Sequence, residues 1–577
     1  MPSCQYSPAS EDYMDFILHY SSRSIEQFYE LAKTQCINFI SKEFAVIHTQ
    51  KSNAEPLSFS RYPYSSIPKL FGLLDTTVVE SSGILPVFDQ PALRADGSGV
   101  ILGIIDTGID YTNPLFRNSD GTSRILNIWD QSIDSGEMPP EIAGFQPFYG
   151  TVYEQAQLNE ALNAEDPFLV VPSRDTDGHG TFMAGVAAGN RIDRPVPFSG
   201  AAPMASLAVV KLKPAKQYLR DFFLVHTEDP VFQENDIMAA VSYLLSVANL
   251  YQLPLVIYLG VGTNQGSHEG NSPLGQQLSN LNGYLGLAIV AGAGNEMGYH
   301  HHFLGHMTPE QEFEDVELRV GADDTGFCME LWSQQPELYT VGIISPSGEV
   351  INRIALTLGT ETVIPFRLDS TVLTVSYQNF EIGSGSQLIF LRFETPSSGI
   401  WRIRVYPTLF LTGHFHVWLP MHGFLSDNTV FLRPDPNNTT MDPGNADMPL
   451  TVAAYNHGNN SIYIHSSRGY TPSGRVKPDL AAPGVDVQGP AVGSSVESEL
   501  RFTRRSGSSV AAAVAAGAIA DIFTWGITNG NRIGLSNTSI SSMLIRGADR
   551  NPAFSYPNPI WGYGTLNLYQ TFLRDLE

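Results

Sequence analysis

Three short stretches decide the fold of this chain: GIIDTGID (residues 103–110), DTDGHGTFMAG (175–185) and SGSSVAAAVAAG (506–517). In this order they supply Asp106, His179 and Ser509, which are a carboxylate, a base and a hydroxyl. Nucleophilic acyl transfer needs these three groups, because the base takes the proton of the hydroxyl and the carboxylate orients the base. We therefore treat the three residues as candidate catalytic groups.

Asp106 ends the apolar run VILGIID (100–106), whose β-branched residues predict a strand that is buried on both faces. Thr107 and Gly108 break that strand, so the carboxylate is expected at its C-terminal edge. Ligands and catalytic groups collect at this edge in open parallel sheets. The alternative interpretation is that Asp106 only caps the turn that follows.

His179 lies between two glycines, which allow a backbone and a substrate to approach the ring, and small residues after it predict a buried helix. Ser509 begins a run of Ala, Val and Gly that also predicts a helix. The N-terminus of such a helix favours the negative charge that develops on a carbonyl oxygen during attack. Each residue has an ordinary alternative: a lone histidine in a glycine loop is more often structural, and Ser508 or Ser509 would serve as an N-cap.

A fourth stretch, GLAIVAGAGNEMG (286–298), predicts a strand followed by Asn295. A side-chain amide in this place is suited to donate a hydrogen bond to an oxyanion. Asn295 would otherwise be an ordinary turn residue. Because four such features occur in one chain, we favour the catalytic interpretation.

The order Asp, His, Ser is that of subtilisin, whereas chymotrypsin and the α/β-hydrolases arrange the same groups in other orders. From about residue 95 to its end, apart from one insertion, the chain resembles the subtilisin-like serine proteases. SSRGYTPSGRVKPDLAAPGVDV (466–487) and WGYGTLNLYQ (561–570) are similar to other segments of this family. The resemblance implies an α/β fold in which helices flank a parallel sheet, and it implies that the substrate is a protein or peptide.

LVIYLGVG (255–262) looks like the strand with which these proteases pair a substrate backbone. The resemblance implies substrate-binding roles for four of its residues, Tyr258, Leu259, Gly260 and Gly262. The chain departs from the family pattern in having Ser508 where Thr is usual, Ala513 where Pro is usual, and Tyr258 where many members have a small Ser. The first two changes remove no catalytic group, whereas the third bears on the shape of the specificity pocket.

The spacing of the triad predicts an inserted domain. Ser509 follows His179 by 330 positions, far more than a compact member of the family needs. Between residues 312 and 435, short alternating apolar runs separated by turn residues predict an all-β sandwich or jelly roll. The insertion divides the protease domain into 66–311 and 436–577, and we interpret it as a rigid module or a docking site for a partner.

Residues 1–65 differ from the protease domain in their pattern of apolar and polar residues. SEDYMDFILHYS (10–21) and SIEQFYELAK (24–33) carry helical patterns, and EFAVIHTQ (43–50) is typical of a strand. This α+β segment resembles a propeptide that templates folding and inhibits the enzyme with its C-terminal tail. We predict self-cleavage between Tyr64 and Ile67, at one of the residues Tyr64, Ser65 and Ser66.

IPKLFGLLDTTVVESSGILPVFDQP (67–91) and the long insertion are similar to the Csp-type germination proteases of spore-forming clostridia. This resemblance implies that the cleaved propeptide stays bound and that the substrate is the zymogen of a cortex-lytic enzyme. Some relatives lack triad members and act as pseudoproteases, so the alternative function is a catalytically silent binding or signalling protein. The retention of the triad and of Asn295 favours activity.

The composition limits the number of domains and the kinds of partner that the chain can have. A chain of 577 residues with 42% apolar content can bury large cores in two or three domains. A net charge of −25 argues against a nucleic-acid partner. Cys4, Cys36 and Cys328 show neither a disulfide framework nor the spacing of a metal site.

No signal peptide and no membrane span are predicted, since the chain opens without basic and apolar regions and no apolar run reaches about 18 residues. We expect synthesis in the cytoplasm without export and, by the resemblance, packaging in the spore. No cofactor is predicted, and calcium, which is common in subtilases, has no signature that one sequence reveals. The run Tyr299-His300-His301-His302 is interpreted as a solvated loop rather than a metal site.

Overall fold

A computed structural model describes residues 4, 7–20, 36–74, 93, 95–136, 138–194, 196–357, 359–493 and 500–575. These residues form an N-terminal three-stranded sheet, a domain built on a nine-stranded sheet, and an inserted module of two antiparallel sheets. The predicted α/β fold with an inserted all-β domain is confirmed. The helical pattern of residues 24–33 falls outside the described residues.

The strands are β1 (Tyr13–His19), β2 (Ile37–Phe39), β3 (Phe44–Gln50), β4 (Leu70–Leu73), β5 (Ile101–Asp106), β6 (Ile125–Asp130), β7 (Thr151–Glu154), β8 (Ser206–Lys211), β9 (Phe232–Gln233), β10 (Leu255–Leu259), β11 (Val261–Gly262), β12 (Leu287–Gly292), β13 (His302–His306), β14 (Glu314–Val320), β15 (Gly326–Ser333), β16 (Leu338–Ile344), β17 (Val350–Ile351), β18 (Glu361–Pro365), β19 (Val372–Gln378), β20 (Gln387–Glu394), β21 (Gly399–Leu409), β22 (His414–Trp418), β23 (Val430–Phe431), β24 (Leu450–Asn456), β25 (Ser461–Ile462), β26 (Leu480–Pro483), β27 (Val487–Pro490) and β28 (Phe502–Arg505). The α-helices are α1 (Lys51–Ala54), α2 (Gln155–Leu162), α3 (Pro167–Val170), α4 (His179–Ala188), α5 (Gln217–Phe223), α6 (Glu234–Tyr251), α7 (Pro273–Asn280), α8 (Ser508–Phe523), α9 (Asn537–Gly547) and α10 (Leu568–Asp575). Short 3₁₀ turns span Tyr64–Ser66 and Pro114–Phe116, and a π-turn spans Thr524–Thr528.

The central sheet has the strand order β25-β24-β12-β10-β5-β8-β6-β7, with β26 also paired to β24. Strand β10 runs parallel to both β5 and β12, and all three strands are buried along their whole length. Leu102 and Ile104 face a core that includes α4 and α8, whereas Ile101 and Ile105 face a core that includes α6. Helices on both faces explain why these strands read as continuous apolar runs.

Helix α8 packs at the centre of this domain because its residues are small. A Cβ on Gly517 would collide with Ala201 and with the carbonyl of Ala187, so this position has room for glycine alone. The segment Ser508–Thr528 is long and apolar enough to pass as a membrane span, but almost all of it is buried inside the domain. The core of a soluble domain passes the same test, so this helix is weak evidence for a membrane.

The inserted module consists of the sheets β13-β22-β15-β20-β19-β18 and β17-β16-β21-β14-β23. The side chains between the two sheets form one apolar core, centred on aromatic residues such as Phe393 and Trp401. The module begins earlier than the predicted residue 312, since β13 already pairs with β22 from His302 onwards. Its last strand, β23, ends at Phe431.

The predicted helix at residues 10–21 is wrong, because Tyr13–His19 forms strand β1. This strand pairs with β3 over its full length, and Ile17 joins Phe44 and Val46 in the core that also contains α6. Tertiary burial has therefore overridden the local helical pattern. The prediction of no disulfide is also wrong for Cys4 and Cys36, which are bonded to each other.

Asp521 in α8 is a buried carboxyl whose two oxygens have no hydrogen-bond partner within the described chain. Burial, and to a lesser degree Asp96, raises the pKa of Asp521 well above its usual value. The folded state therefore keeps this proton as the pH rises above about 4, where the unfolded chain loses it. This carboxyl consequently lowers the free energy of unfolding as the pH rises.

We expect Asp521→Asn to raise the thermal unfolding midpoint, and to raise it more at pH 8 than at pH 5, because the amide has no proton to lose. The measurement is the midpoint by scanning calorimetry at both pH values, with Asp193→Asn at an exposed position as the matched control. An Asp521→Asn midpoint that differs from wild type equally at both pH values would contradict this assignment.

Candidate active site

Asp106 and His179 form a buried pair at the C-terminal edge of the central sheet. Nδ1 of His179 lies 2.8 and 2.9 Å from the two carboxylate oxygens of Asp106, and both side chains are fully buried. Oδ1 of Asp106 also accepts a hydrogen bond from the backbone N–H of Thr107 (2.7 Å). With Nδ1 engaged by the carboxylate, Nε2 is the nitrogen of His179 left to exchange protons.

A second carboxylate, Asp175, holds the loop that carries His179. Its oxygens accept hydrogen bonds from the N–H of Gly178 (2.8 Å), the N–H of Thr181 (2.8 Å) and the hydroxyl of Thr107 (2.9 Å). Asp175 opens the stretch DTDGHGTFMAG, but its role becomes visible only in the structure. Its place four residues before the histidine is the only signal that the sequence offers.

Ser509 is the second residue of α8, and its Oγ is buried with no hydrogen-bond partner among the described residues. The N-cap of α8 is Gly507, so the alternative in which Ser508 or Ser509 only caps the helix is wrong. An N-cap oxygen would accept a bond from the backbone of its own helix, whereas the Oγ of Ser509 accepts none from α8, all of which the structure describes.

Ser508 connects the start of α8 to the Asn295 loop. Its N–H donates to Oδ1 of Asn295 (3.0 Å), and its Oγ accepts from the N–H of Gly294 (3.0 Å). Oδ1 of Asn295 already accepts the hydrogen bond from Ser508. The Nδ2 amide is therefore the group of this side chain that can donate to a substrate. The arrangement places a side-chain amide donor near the first turn of α8, which suits an oxyanion.

The cleft beside these residues contains a segment of the chain itself. Strand β4 (Leu70–Leu73) lies between β11 and β9 and is antiparallel to both. The next residue, Leu74, donates its N–H to the carbonyl of Gly260 (3.2 Å), and its own carbonyl oxygen lies 3.3 Å from Nε2 of His179. The segment thus occupies the cleft as the acyl side of a peptide substrate would.

The structure does not bring the predicted cleavage residues Tyr64, Ser65 and Ser66 to His179. They form a 3₁₀ turn, in which the hydroxyl of Tyr64 donates to the carboxylate of Glu330 in the inserted module (2.8 Å). The carbonyl beside His179 belongs instead to Leu74, which lies eight residues after Ser66.

Two glycines face the side chain of Leu74. A Cβ on Gly262 would lie 3.2 Å from one methyl group of Leu74, and a Cβ on Gly292 would lie 3.1 Å from the other. Of the other predicted substrate-binding residues, Leu259 and Tyr258 are buried in the two cores of the sheet, and a Cβ on Gly260 would collide with Asp106. Tyr258 therefore does not shape this pocket, whereas Gly292, which the sequence analysis missed, does.

The histidine run at residues 299–302 was predicted to be a solvated loop, and this holds only for its start, a turn in which His300 is exposed. Nδ1 of His301 lies 2.9 Å from the carboxylate of Glu296, and Nε2 of His302 lies 3.0 Å from His416. Both His301 and His302 are buried, and burial lowers the pKa of His302 well below its usual value. Within the described residues, no group of three or more His, Cys, Asp or Glu side chains is placed to hold a metal ion.

This fold, together with Asp106, His179 and Ser509 in that chain order, defines the class of subtilisin-like serine peptidases. The chain belongs to the subtilase family, whose model matches residues 97–318 and 428–564. The unmatched stretch between these ranges falls within the inserted module.

Among solved structures, the chain is similar to the CspB protease of Clostridium perfringens, with a TM-score of 0.74 and 30% sequence identity over 85% of this chain and 95% of that chain. Among curated proteins, it is 31% identical over 131 residues to the subtilisin-like protease SBT2.2 of Arabidopsis thaliana and 32% identical over 161 residues to SBT1.9 of the same plant. These matches cover 20% and 25% of this chain but only 15% and 19% of the two plant proteins.

Proposed function

We propose that this protein is a serine endopeptidase that cleaves its own chain after Leu74 and hydrolyses other proteins at the same site. The observation that carries the proposal is the position of Leu74, whose carbonyl oxygen lies 3.3 Å from Nε2 of His179 while its N–H pairs with Gly260. A chain held by β-pairing with its carbonyl beside the base lies where the acyl side of a substrate is expected.

In the proposed reaction, His179 takes the proton of the Ser509 hydroxyl as Oγ attacks the carbonyl carbon of Leu74. Asp106 stabilises the resulting imidazolium, and Asn295 with the N–H of Ser509 stabilises the oxyanion. His179 then protonates the leaving amine, and water hydrolyses the acyl-enzyme to leave a carboxylate on Leu74. His179 makes every proton transfer, so the proposed chemistry uses no cofactor, and any calcium would act on the fold.

We also propose that the segment 1–74 stays bound after cleavage as a product inhibitor. The support is a buried interface in which the carboxylate of Asp15 lies 2.8 Å from each of three side chains, those of Lys216, His48 and Gln233. Burial alone would raise the pKa of Asp15, but Lys216 and His48 outweigh it and hold the pKa far below its usual value. An ionised and fully paired carboxylate favours a lasting contact.

For the substrate in trans, we propose the zymogen of a spore cortex-lytic enzyme, activated by a limited cut. The support is the similarity to CspB over most of both chains and a cleft that accepts an extended segment. This role requires a protein that is made in the cytoplasm and packaged in the spore.

The alternative is a catalytically silent protein that binds or signals. The occupied cleft favours it, as does the lack of a hydrogen bond from the Oγ of Ser509 to any residue that the structure describes. In this alternative, residues 70–74 would block the cleft permanently, and the inserted module would bind the partner or transmit the signal.

We expect purified wild-type protein to split into fragments 1–74 and 75–577, and Ser509→Ala to stay whole, because only the variant lacks the nucleophile. Intact mass spectrometry measures this, with Ser542→Ala at an exposed position of α9 as the matched control. A wild-type chain that stays whole would favour the silent alternative, and a Ser509→Ala chain that splits would assign the cut to another protease.

We expect Asn295→Ala to slow self-cleavage by about 10²–10³-fold, the usual effect of removing one oxyanion donor. The measurement is the time course of the 1–74 fragment after synthesis in a cell-free system. Asn295→Asp, which keeps the size of the side chain but loses its N–H donors, should be equally slow. A rate within a factor of three of wild type for both variants would remove Asn295 from the mechanism.

We expect Asp15→Asn to release the 1–74 fragment after cleavage, because Lys216 would be left buried without its counter-charge, at a cost of about 3–5 kcal/mol. Size-exclusion chromatography of cleaved protein measures the release, with the exposed Asp12→Asn as control. Equal co-elution of the fragment in both variants would show that the Asp15–Lys216 pair does not retain it.

A further inference from the structure

The inserted module reaches over the active-site cleft. The loop of residues 419–425, which follows β22, lies across β4 and is held on both sides of the cleft. On one side, the N–H of His422 donates to the carboxylate of Glu296 (2.9 Å), the residue after Asn295. On the other side, Gly423 lies against Asp229, since a Cβ there would be 3.2 Å from its Oδ2. We call residues 419–425 the strap.

The strap contacts Gly72, the third residue from the proposed cleavage point when Leu74 is counted as the first. A Cβ on Gly72 would lie 2.9 Å from Cε of Met421, 3.0 Å from its Sδ and 3.3 Å from the ring of Phe424. Both strap side chains are buried. Gly72 does not have the left-handed backbone that favours glycine, so the restriction at this position comes from lack of space.

We infer that Met421 and Phe424 are specificity-determining residues that restrict the third position before the cleaved bond to glycine and, less well, alanine. The inference rests on the proposed function, in which Leu70–Leu74 occupies the cleft as a substrate does. It gives the inserted module a direct part in substrate choice, although the module contributes none of the proposed catalytic groups.

The neighbouring positions define the substrate class. Leu74 fits between Gly262 and Gly292, which leaves room for an unbranched or γ-branched aliphatic side chain. Phe71 is fully buried in the core that contains Val261 of β11 and Phe232 of β9. The preferred substrate is therefore an extended segment with an aromatic residue and a glycine at the fourth and third positions before the cleaved bond and an aliphatic residue directly before it.

Met421 and Phe424 differ in how far their side chains can move to make room for a larger residue at position 72. The thioether end of Met421 is flexible and can move for one methyl group. A branched side chain needs more space than movement of the thioether end can supply, because the ring of Phe424 bounds the same site. We therefore expect a graded response at position 72, in which alanine is tolerated with a modest loss of rate and valine is rejected.

The test is the rate of self-cleavage after Leu74 in the full-length chain, measured by intact mass. Gly72→Ala should slow cleavage about threefold and Gly72→Val at least about tenfold, the scale of a single overpacked contact. Adding Met421→Ala to Gly72→Val should restore the rate to within about threefold of wild type. Gly534→Val is the matched control, because a Cβ at this exposed glycine meets open space.

Removal of Met421 would relieve the clash whether its effect is slow cleavage or misfolding. Specificity is therefore separated from misfolding by the unfolding midpoints of the same variants in a Ser509→Ala background, which should stay close to that of Ser509→Ala alone. Cleavage of Gly72→Val at the wild-type rate, or no rescue by Met421→Ala, would overturn the inference while the proposed function stands. If the wild type itself stays whole, the proposed function fails and this inference fails with it.

Discussion

The parallel register of β5, β10 and β12 is the constraint on which the rest of the site depends. Leu259 of β10 is level with Ile105 of β5 and with Ala291 of β12, so the three strands end at the same height. The next residue along each of the three segments therefore lies at one edge: Asp106 at the end of β5, Gly260 directly after β10, and Gly292 at the end of β12. The sheet thus sets the distance between the carboxylate, the backbone that pairs with Leu74 and the loop that carries Asn295, before any side chain is placed.

The N-terminal segment, the central domain and the inserted module also meet at a single carboxylate, that of Glu330 on β15. It accepts hydrogen bonds from the hydroxyl of Tyr64, from the N–H of Gly266 and from the indole N–H of Trp332. Because each donor comes from a different module, the loss of any one leaves a buried carboxylate incompletely paired, which is costly. The segment that leads from Tyr64 into the cleft consequently contacts the inserted module at two points, Glu330 and the strap.

Much of the central domain could be predicted from the sequence because its signals are local. The apolar runs that end in Asp106 or precede Asn295 predict buried strands, and the glycines around His179 predict a tight loop. The inserted module was predictable for the same reason, through its alternating runs. Its start was placed too late, at residue 312, because the first strand, His302–His306, reads as a histidine-rich loop until its pairing with β22 is known.

The resemblance implies that the tail of a propeptide inhibits the enzyme, but which residues lie in the cleft could not be predicted, and the reason is physical. The stretch Leu70–Leu74 is short. Its composition predicts neither that it pairs with β11 and β9 nor the register of that pairing. The register is fixed from outside, by the anchoring of Tyr64 at Glu330 and by the space that the strap leaves above Gly72. A slip of one residue would place Leu73 or Phe71 under Met421, where the space is too small for either. The exclusion of side chains at that one point therefore helps to decide which carbonyl is presented to His179.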